Sequence, residues 1–302
     1  MPREISLSTR QREEIDDLVR TVRNRCPGES EFRYLSYIRS DPLPHLLASV
    51  SGELRSQPGL PLVVTGLPQY ENIQDSKILS LLLGESIGNC VAYSDYNQSY
   101  LTDIRPTSLS KESSAGESLL GMHNDFPFIG DNSRPRHLVL LAHRAHGVVP
   151  MTFLAPADDV LARLDRETRS ELTKRQFEAR AGGKLAWKNE QIFRFPLLVL
   201  DGQHTVIRFH FDSIEPAADL PKGEAAAANR ALGVLGEAAL AVGRKSGHRI
   251  LEGEALIIPN DHCLHGRDAM DGQKSERMLL RAYVAPDSVV KHHRKTMITL
   301  DA

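Results

Sequence analysis

Three polar residues at two places in the chain carry the strongest chemical signal. His123 and Asp125 lie in LLGMHNDFPF, and His265 follows far downstream in ALIIPNDHCLHGR. Two imidazoles and one carboxylate can occupy one face of an octahedral metal and leave the opposite positions open, the donor set of a non-haem Fe(II) centre. On a strand, His123 and Asp125 at i and i+2 point to one face while Asn124 points to the other. SERMLLR then supplies two arginines, Arg277 and Arg281, an even number apart, so both project from one side of a strand. Two inward arginines are costly to bury without anions to meet them.

The metal motif is cheap by itself. With 12 histidines and 39 acidic residues, about one His-x-Asp/Glu match arises by chance. The chain holds a second, His210-Phe211-Asp212, which also precedes His265. Context favours the first. Gly121 and a serine- and glycine-rich stretch upstream allow open approach to His123, and with the second choice that upstream block has no role. His262 competes with His265 for the third position, but His-Gly-Arg after a strand and a Pro-Asn-Asp turn favours His265. His137, His143 and His146 read as ordinary half-buried strand residues.

The elements that must position these residues follow from periodicity. Thr9 to about Arg25 reads as a helix capped by Ser8 with Gln11 three positions on, and Ile15, Leu18, Val19 and Val22 form its apolar stripe. Strands are expected at 61–67, 89–106 (one or two), 137–145, 150–155, in QIFRFPLLVLDG and TVIRFHFDSI, and in EALIIP and RMLLRAYVA. Helices are expected at 76–88, in PADDVLARL and DRETRSELTKRQ, and at 223–247. Many short strands with interspersed helices point to a mainly β protein, a double-stranded β-helix (jelly roll) core decorated by helices. Such a core brings strands distant in sequence together, which would let His265 meet His123 and Asp125. The chain reads as a single domain over 1–302, with 1–60 as a helical N-terminal extension packed on the jelly roll. The serine-rich segment 107–118 reads as a loop able to close over a substrate, and KHHRK near the C-terminus as a solvated basic tail.

Composition excludes several classes. At 302 residues, 41% hydrophobic and 25% charged, the chain can bury a sizeable core. A net charge of −2 gives no general attraction to nucleic acid or anionic membrane. No apolar run approaches the roughly 18 residues of a membrane span. Three scattered cysteines, Cys26, Cys90 and Cys263, imply a reduced, cytoplasmic protein without a disulfide framework.

Three stretches carry a resemblance: YLTDIRPTSLSKESSAGESLLGMHNDFPF, RPRHLVLLAHRAHGVVPMTF and DHCLHGRDAMDGQKSERMLLRAYV. Over about residues 60–290 the chain resembles the clavaminate synthase-like branch of the taurine dioxygenase superfamily, which includes free amino acid β-hydroxylases. The resemblance implies a jelly-roll oxygenase using Fe(II), 2-oxoglutarate and O₂ on a small molecule. It implies His123, Asp125 and His265 as metal ligands, Thr152 and Arg277 as partners of the distal 2-oxoglutarate carboxylate, and Arg281 and Asp212 as substrate contacts. One departure is plain: this branch usually has Glu as second ligand, whereas Asp125 follows the wider superfamily. The substrate class it implies is an amino-acid-derived or cyclic dipeptide metabolite, hydroxylated, desaturated or cyclised at an unactivated C–H. Arginine suits a cosubstrate role because its planar, always charged fork binds carboxylate bidentately. Two other classes compete. A zinc hydrolase could use the same His₂Asp set to activate water, but leaves Thr152, Arg277 and Arg281 without a role. A non-catalytic jelly-roll binding protein would not need three intact ligands.

Overall fold

Ser8 opens the first helix as its neighbours imply. In the computed structural model, which describes residues 1–298 apart from 29, 41–46, 95–97, 107–116, 180–193, 201–203 and 273, the Ser8 hydroxyl accepts from the Gln11 N–H while the Gln11 side chain accepts from the Ser8 N–H at 3.0 Å. This reciprocal cap satisfies donors that a first helical turn leaves orphaned. The helix it starts, α1 (Thr9–Arg25), buries Ile15, Val19 and Val22. Before it lies β1 (Arg3–Ser6); after it come α2 (Glu31–Ser40) and α3 (Ala48–Ser56), then β2 (Leu62–Thr65). β1 pairs in parallel with β2, from Arg3 opposite Leu62 to Ser6 opposite Thr65. The N-terminal segment is therefore not purely helical. Four polar-apolar residues are too few for a periodic signal, and β1 exists because β2 offers it an edge.

The next stretch holds α4 (Ile73–Ile87), β3 (Asn89–Tyr93), β4 (Leu101–Ile104), β5 (Leu120–His123), β6 (His137–Gly147) and β7 (Thr152–Pro156). α4 begins earlier than the apolar run at 76–88 suggests, because the Asn72 side chain caps it by accepting from the Gln74 N–H at 3.0 Å. Two short helices, α5 (Ala157–Leu161) and α6 (Arg166–Leu172), match the two expected after PMTFLA. Short strands β8 (Phe177–Ala179), β9 (Leu198–Leu200), β10 (Thr205–Ile207) and β11 (Ile214–Pro216) form two small ribbons, β8 with β11 and β9 with β10. Then follow α7 (Lys222–Gly243), β12 (Ala255–Pro259), β13 (Cys263–Arg267), β14 (Ser275–Ala285), α8 (Asp287–His293) and β15 (Met297–Ile298). The basic tail is thus partly helical, and His293 Nε2 docks within 2.9 Å of the Ser133 hydroxyl.

The strands assemble into a large sheet and a small one. The large sheet runs β1-β2-β12-β6-β14-β3-β15, with β4 also on β14, and the small one β5-β13-β7. The architecture is mixed and sheet-rich with helices against it. Period-2 alternation splits the core in two. Leu256 and Ile258 of β12 and Leu279 and Tyr283 of β14 face the small sheet, joined by Met122, Phe153, Leu264 and the α7 residues Leu235 and Ala239. Ala255 and Ile257 of β12 and Leu280, Ala282 and Val284 of β14 face the other way, onto α1–α4. Burying both faces this way explains why β12 and β14 read as nearly continuous apolar runs rather than as clean alternation. α7 is, among the described residues, the one helix long and apolar enough to cross a membrane; its Ala228, Ala231, Leu235 and Val242 are buried in the first core instead. Cys26, Cys90 and Cys263 are all buried free thiols.

Candidate metal centre and its cavity

β5 and β13 are antiparallel neighbours, and their register sets His265 directly opposite His123. On its other edge β13 pairs with β7, which sets Arg267 opposite Thr152. This double pairing brings together residues far apart in sequence. One ligand atom each from His123, Asp125 and His265 lies within 4.8 Å of the others, all three residues being buried. Asp125 Oδ1 stands 3.4 Å from His123 Nε2 and 3.8 Å from His265 Nε2. Three donors converging on one point through low-exposure walls can hold a divalent ion, and the two imidazoles with one carboxylate suit iron.

The orientation of each donor has a visible cause. His123 Nδ1 lies 2.9 Å from the Gly121 carbonyl; a proton donated there leaves Nε2 as the lone pair that faces the site. Asp125 Oδ2 accepts from Arg281 Nη1 at 3.0 Å, so only Oδ1 turns inward. Burial by itself would raise the Asp125 carboxyl, but Arg281, then His123 and His265, hold it well below the usual carboxylate range. It is an anion at every physiological pH. Burial pushes His265 down to about 3, reinforced by His123, so this imidazole is neutral and able to ligate. Arg281 also lies over the Tyr283 ring, 4.7 Å from its centroid.

His123 and His265 line one cavity with Thr152, Arg267, Arg277 and Arg281. Arg277 is 4% exposed, yet among the described residues no carboxylate pairs with it; its nearest partner is the Met270 sulfur, 3.9 Å from Nη1. Glu254, a carboxylate carried on the approach to β12, is engaged with His248 at 2.9 Å instead. Burial and then the nearby Arg267 push the Arg277 guanidinium down to about 9, which still leaves it charged at neutral pH. The Thr152 hydroxyl oxygen is likewise buried without a hydrogen-bond partner. A buried cation and a buried hydroxyl facing the metal-binding cavity fit the far carboxylate of a chelating dicarboxylate.

Solved structures share this arrangement of elements. No protein-family model matches the chain, and no curated protein sequence matches it. An asparagine oxygenase in complex with Fe(II), (2S,3S)-3-hydroxyasparagine and succinate superposes with a TM-score of 0.81 at 20% identity, covering 98% of this chain and 99% of that one. The non-haem iron oxygenase OrfP, in complex with Fe and α-ketoglutaric acid, superposes with a TM-score of 0.76 at 19% identity over 98% and 99% of the two chains. The same enzyme with Fe, succinate and (3S)-hydroxy-L-Arg gives 0.74. The fold is that of the non-haem iron oxygenases.

The second His-x-Asp motif does not join the triad. His210 forms an isolated bridge with His123, and their ring centroids are 5.1 Å apart. His210 Nδ1 sits 2.7 Å from Asp212 Oδ1, and the Asp212 side chain is 41% exposed. This pair stands beside the His123 ring and not among the residues that line the cavity, and Asp212 is held below its ordinary range chiefly by His210. His262 turns away, its Nδ1 2.9 Å from the Thr205 carbonyl. Residues 107–116 of the serine-rich segment and Trp187 lie outside the described residues.

Two features depart from the sequence reading. β5 ends at His123, so Asp125 is not on a strand, and Phe126 follows with φ 57°. The Asn124 N–H donates not into the small sheet but to the Phe209 carbonyl at 2.8 Å. Asn124, Asn260 and Arg267 are also buried, and strand spacing gives Asn124 and Asn260 no role at the centre. An asparagine has no periodicity signal of its own; only its tertiary partners reveal it. Arg267 could have been noticed, since it lies at i+2 from His265 on the same strand face.

Proposed function

We propose that this protein is an Fe(II)- and 2-oxoglutarate-dependent oxygenase that hydroxylates a free amino acid or a close derivative. The observation that carries the reading is the coincidence in one cavity of a buried His₂Asp set with a buried arginine, Arg277, that has no carboxylate partner among the described residues. A zinc hydrolase accounts for the first feature and not the second. The relatives in fold act, by their bound products, on asparagine and arginine. In this reading the two sheets form the faces of a jelly roll spanning a single domain, and His123, Asp125 and His265 hold the iron. The enzyme acts on a small molecule, with no nucleic acid or membrane partner, in the reducing cytoplasm.

Bound iron, with 2-oxoglutarate and O₂, supplies oxidative decarboxylation to succinate and CO₂ and delivery of one oxygen atom to a C–H bond. The chain's own residues do the rest. Arg281 ties down Asp125 Oδ2 at 3.0 Å, so the carboxylate would offer the metal its other oxygen. Thr152 and Arg277 would hold the distal carboxylate of 2-oxoglutarate, and the apolar Leu120, Leu140 and Leu279 line the same cavity. Arg281 lies four residues along β14 from Arg277, roughly 13 Å at 3.3 Å per residue, so it serves the metal end and the substrate carboxylate rather than the same distal group. Asp212, paired with His210 beside the His123 ring, would be the partner for a substrate ammonium, and with Arg281 would suit an amino acid zwitterion.

The test is anaerobic addition of Fe(II) and 2-oxoglutarate, which should give a visible metal-to-ligand absorption band. A panel of free L-amino acids and cyclic dipeptides should then be screened for stimulated succinate formation. Absence of the band, or hydrolysis supported by Zn(II) alone, would sink the reading.

A further inference from the structure

The strand that delivers His123 stops before it can place Asp125, and two buried amides take over. The Asn124 N–H donates to the Phe209 carbonyl at 2.8 Å, and its side-chain Oδ1 accepts from the Phe209 N–H at 2.9 Å. Asn124 Nδ2 donates to the Asn260 carbonyl. Asn260 is 0% exposed. Its Oδ1 accepts from the Asp125 N–H at 3.0 Å, and its Nδ2 donates to the Asp125 carbonyl at 2.9 Å and to the Pro135 carbonyl at 3.0 Å. A primary amide presents the same donor and acceptor that a peptide unit offers in a β rung. One side chain thus replaces the missing ladder partner on both backbone groups of Asp125.

The position of Asn260 makes this more than a filled hydrogen bond. It lies in the turn between β12 and β13, and β13 carries His265. The turn is itself pinned from behind: Asp261 Oδ1 accepts from Arg134 Nε at 2.6 Å and its Oδ2 from Arg136 Nη1. The Asn260 N–H donates to the Arg136 carbonyl at 2.8 Å. One residue therefore fixes the Asp125 backbone relative to the strand of the third ligand. Aspartate keeps the acceptor and loses both donated bonds, and alanine loses all three.

We propose that Asn260 is the positioning residue of the metal centre, holding Asp125 Oδ1 toward His123 and His265 before any metal arrives. The proposal rests on the metal-centre reading above. Such outer partners typically change metal affinity by about 10- to 100-fold.

The experiment titrates Co(II) anaerobically into the full chain, into Asn260→Asp and Asn260→Ala, and into Asn89→Ala, whose amide serves Asp287 and the Ala285 carbonyl and no site residue. The expected result is Co(II) binding about 10- to 100-fold weaker in both Asn260 variants, with an altered visible d–d band, at unchanged far-ultraviolet circular dichroism. Asn89→Ala should bind like the wild type. Folded Asn260 variants with wild-type affinity and spectrum would overturn the proposal while leaving the metal-centre reading intact. A wild type that takes up no Co(II) would overturn both. Amide exchange in the metal-free wild type decides the matter even where the variants do not fold. The Asp125 N–H should be protected; exchange as fast as in an exposed loop would overturn the clamp.

Discussion

Arg277 is the residue whose loss should be most specific in its effect. Its guanidinium is buried, and no acid among the described residues balances it, so the bound dicarboxylate is its partner in the proposed cycle. Arg277→Ala would leave that carboxylate buried and unpaired, which typically costs about 3–5 kcal/mol. The expected outcome is a large rise in the apparent KM for 2-oxoglutarate with Fe(II) affinity retained, read by anaerobic calorimetry. Equal 2-oxoglutarate affinity would refute the assignment. Thr152→Val should cost less, about 1–2 kcal/mol, because it removes one hydrogen bond to a charged group. At this scale the coming together of His123, Asp125 and His265 was legible, though from context and not from the motif, which occurs twice. The expectation for Arg277 came from the family resemblance, and strand periodicity only set its face. Asn124 and Asn260 carry no such signal, because an amide's role lies in which backbone groups it meets. The pairing of Arg281 with Asp125 was hidden for the same reason: strand periodicity fixes the face on which Arg281 projects, not the partner it finds there.

The triad depends on how closely β13 can lie against β5. Gly266 sits between His265 and Arg267, and a Cβ there would fall 2.8 Å from the Leu120 carbonyl oxygen and 3.0 Å from Met122 Sδ. The thioether can move, but the carbonyl belongs to the strand that carries His123. Gly266→Ala should therefore push β5 and β13 apart. Overpacking of this kind costs about 1–3 kcal/mol, and it should appear as a lowered Tm together with weaker Co(II) binding. A variant with wild-type Tm and affinity would show that the strands have slack the geometry does not suggest. Elements differed in how well the sequence revealed them. α1 was readable to its ends because Ser8 and Gln11 form a cap with a local signature. α7 was readable because its length leaves little ambiguity. β1 was not, since its pairing with β2 is non-local, and the early end of β5 was not, since a His-x-Asp run looks the same on a strand and just beyond one.

Across the whole molecule, the large sheet separates two cores, and β6 runs through both with His137 and His143 on it. Burial pushes His137 down to about 4, with smaller contributions from His262 and Arg136. Burial also lowers His143, whose Nδ1 lies 2.9 Å from the Ser76 hydroxyl. His137 is therefore neutral in the folded state near neutral pH and titrates near 6.5 once unfolded, and the lowering of His143 acts in the same direction. Between about pH 6.5 and pH 4 the unfolded chain therefore binds protons that the folded chain refuses. The unfolded state then holds more protons, so stability rises with pH in this window and falls on acidification. Because pH 4.5 still lies above the folded value, the His137 share by then is about 1–3 kcal/mol rather than the full value for its shift. Depressed carboxylates such as Asp125 and Asp212 act in the same direction only at still lower pH, since each must first approach its ordinary range before the unfolded chain gains a proton on it. The metal-free protein should accordingly lose Tm steadily from pH 7 through pH 5.5 to pH 4.5, well above the range where carboxylates dominate. Replacing the imidazole by an amide that cannot titrate, His137→Gln, should flatten that slope even if it lowers Tm at pH 7. A His137→Gln protein whose Tm falls with pH as steeply as the wild type would show that this histidine is protonated in the folded state.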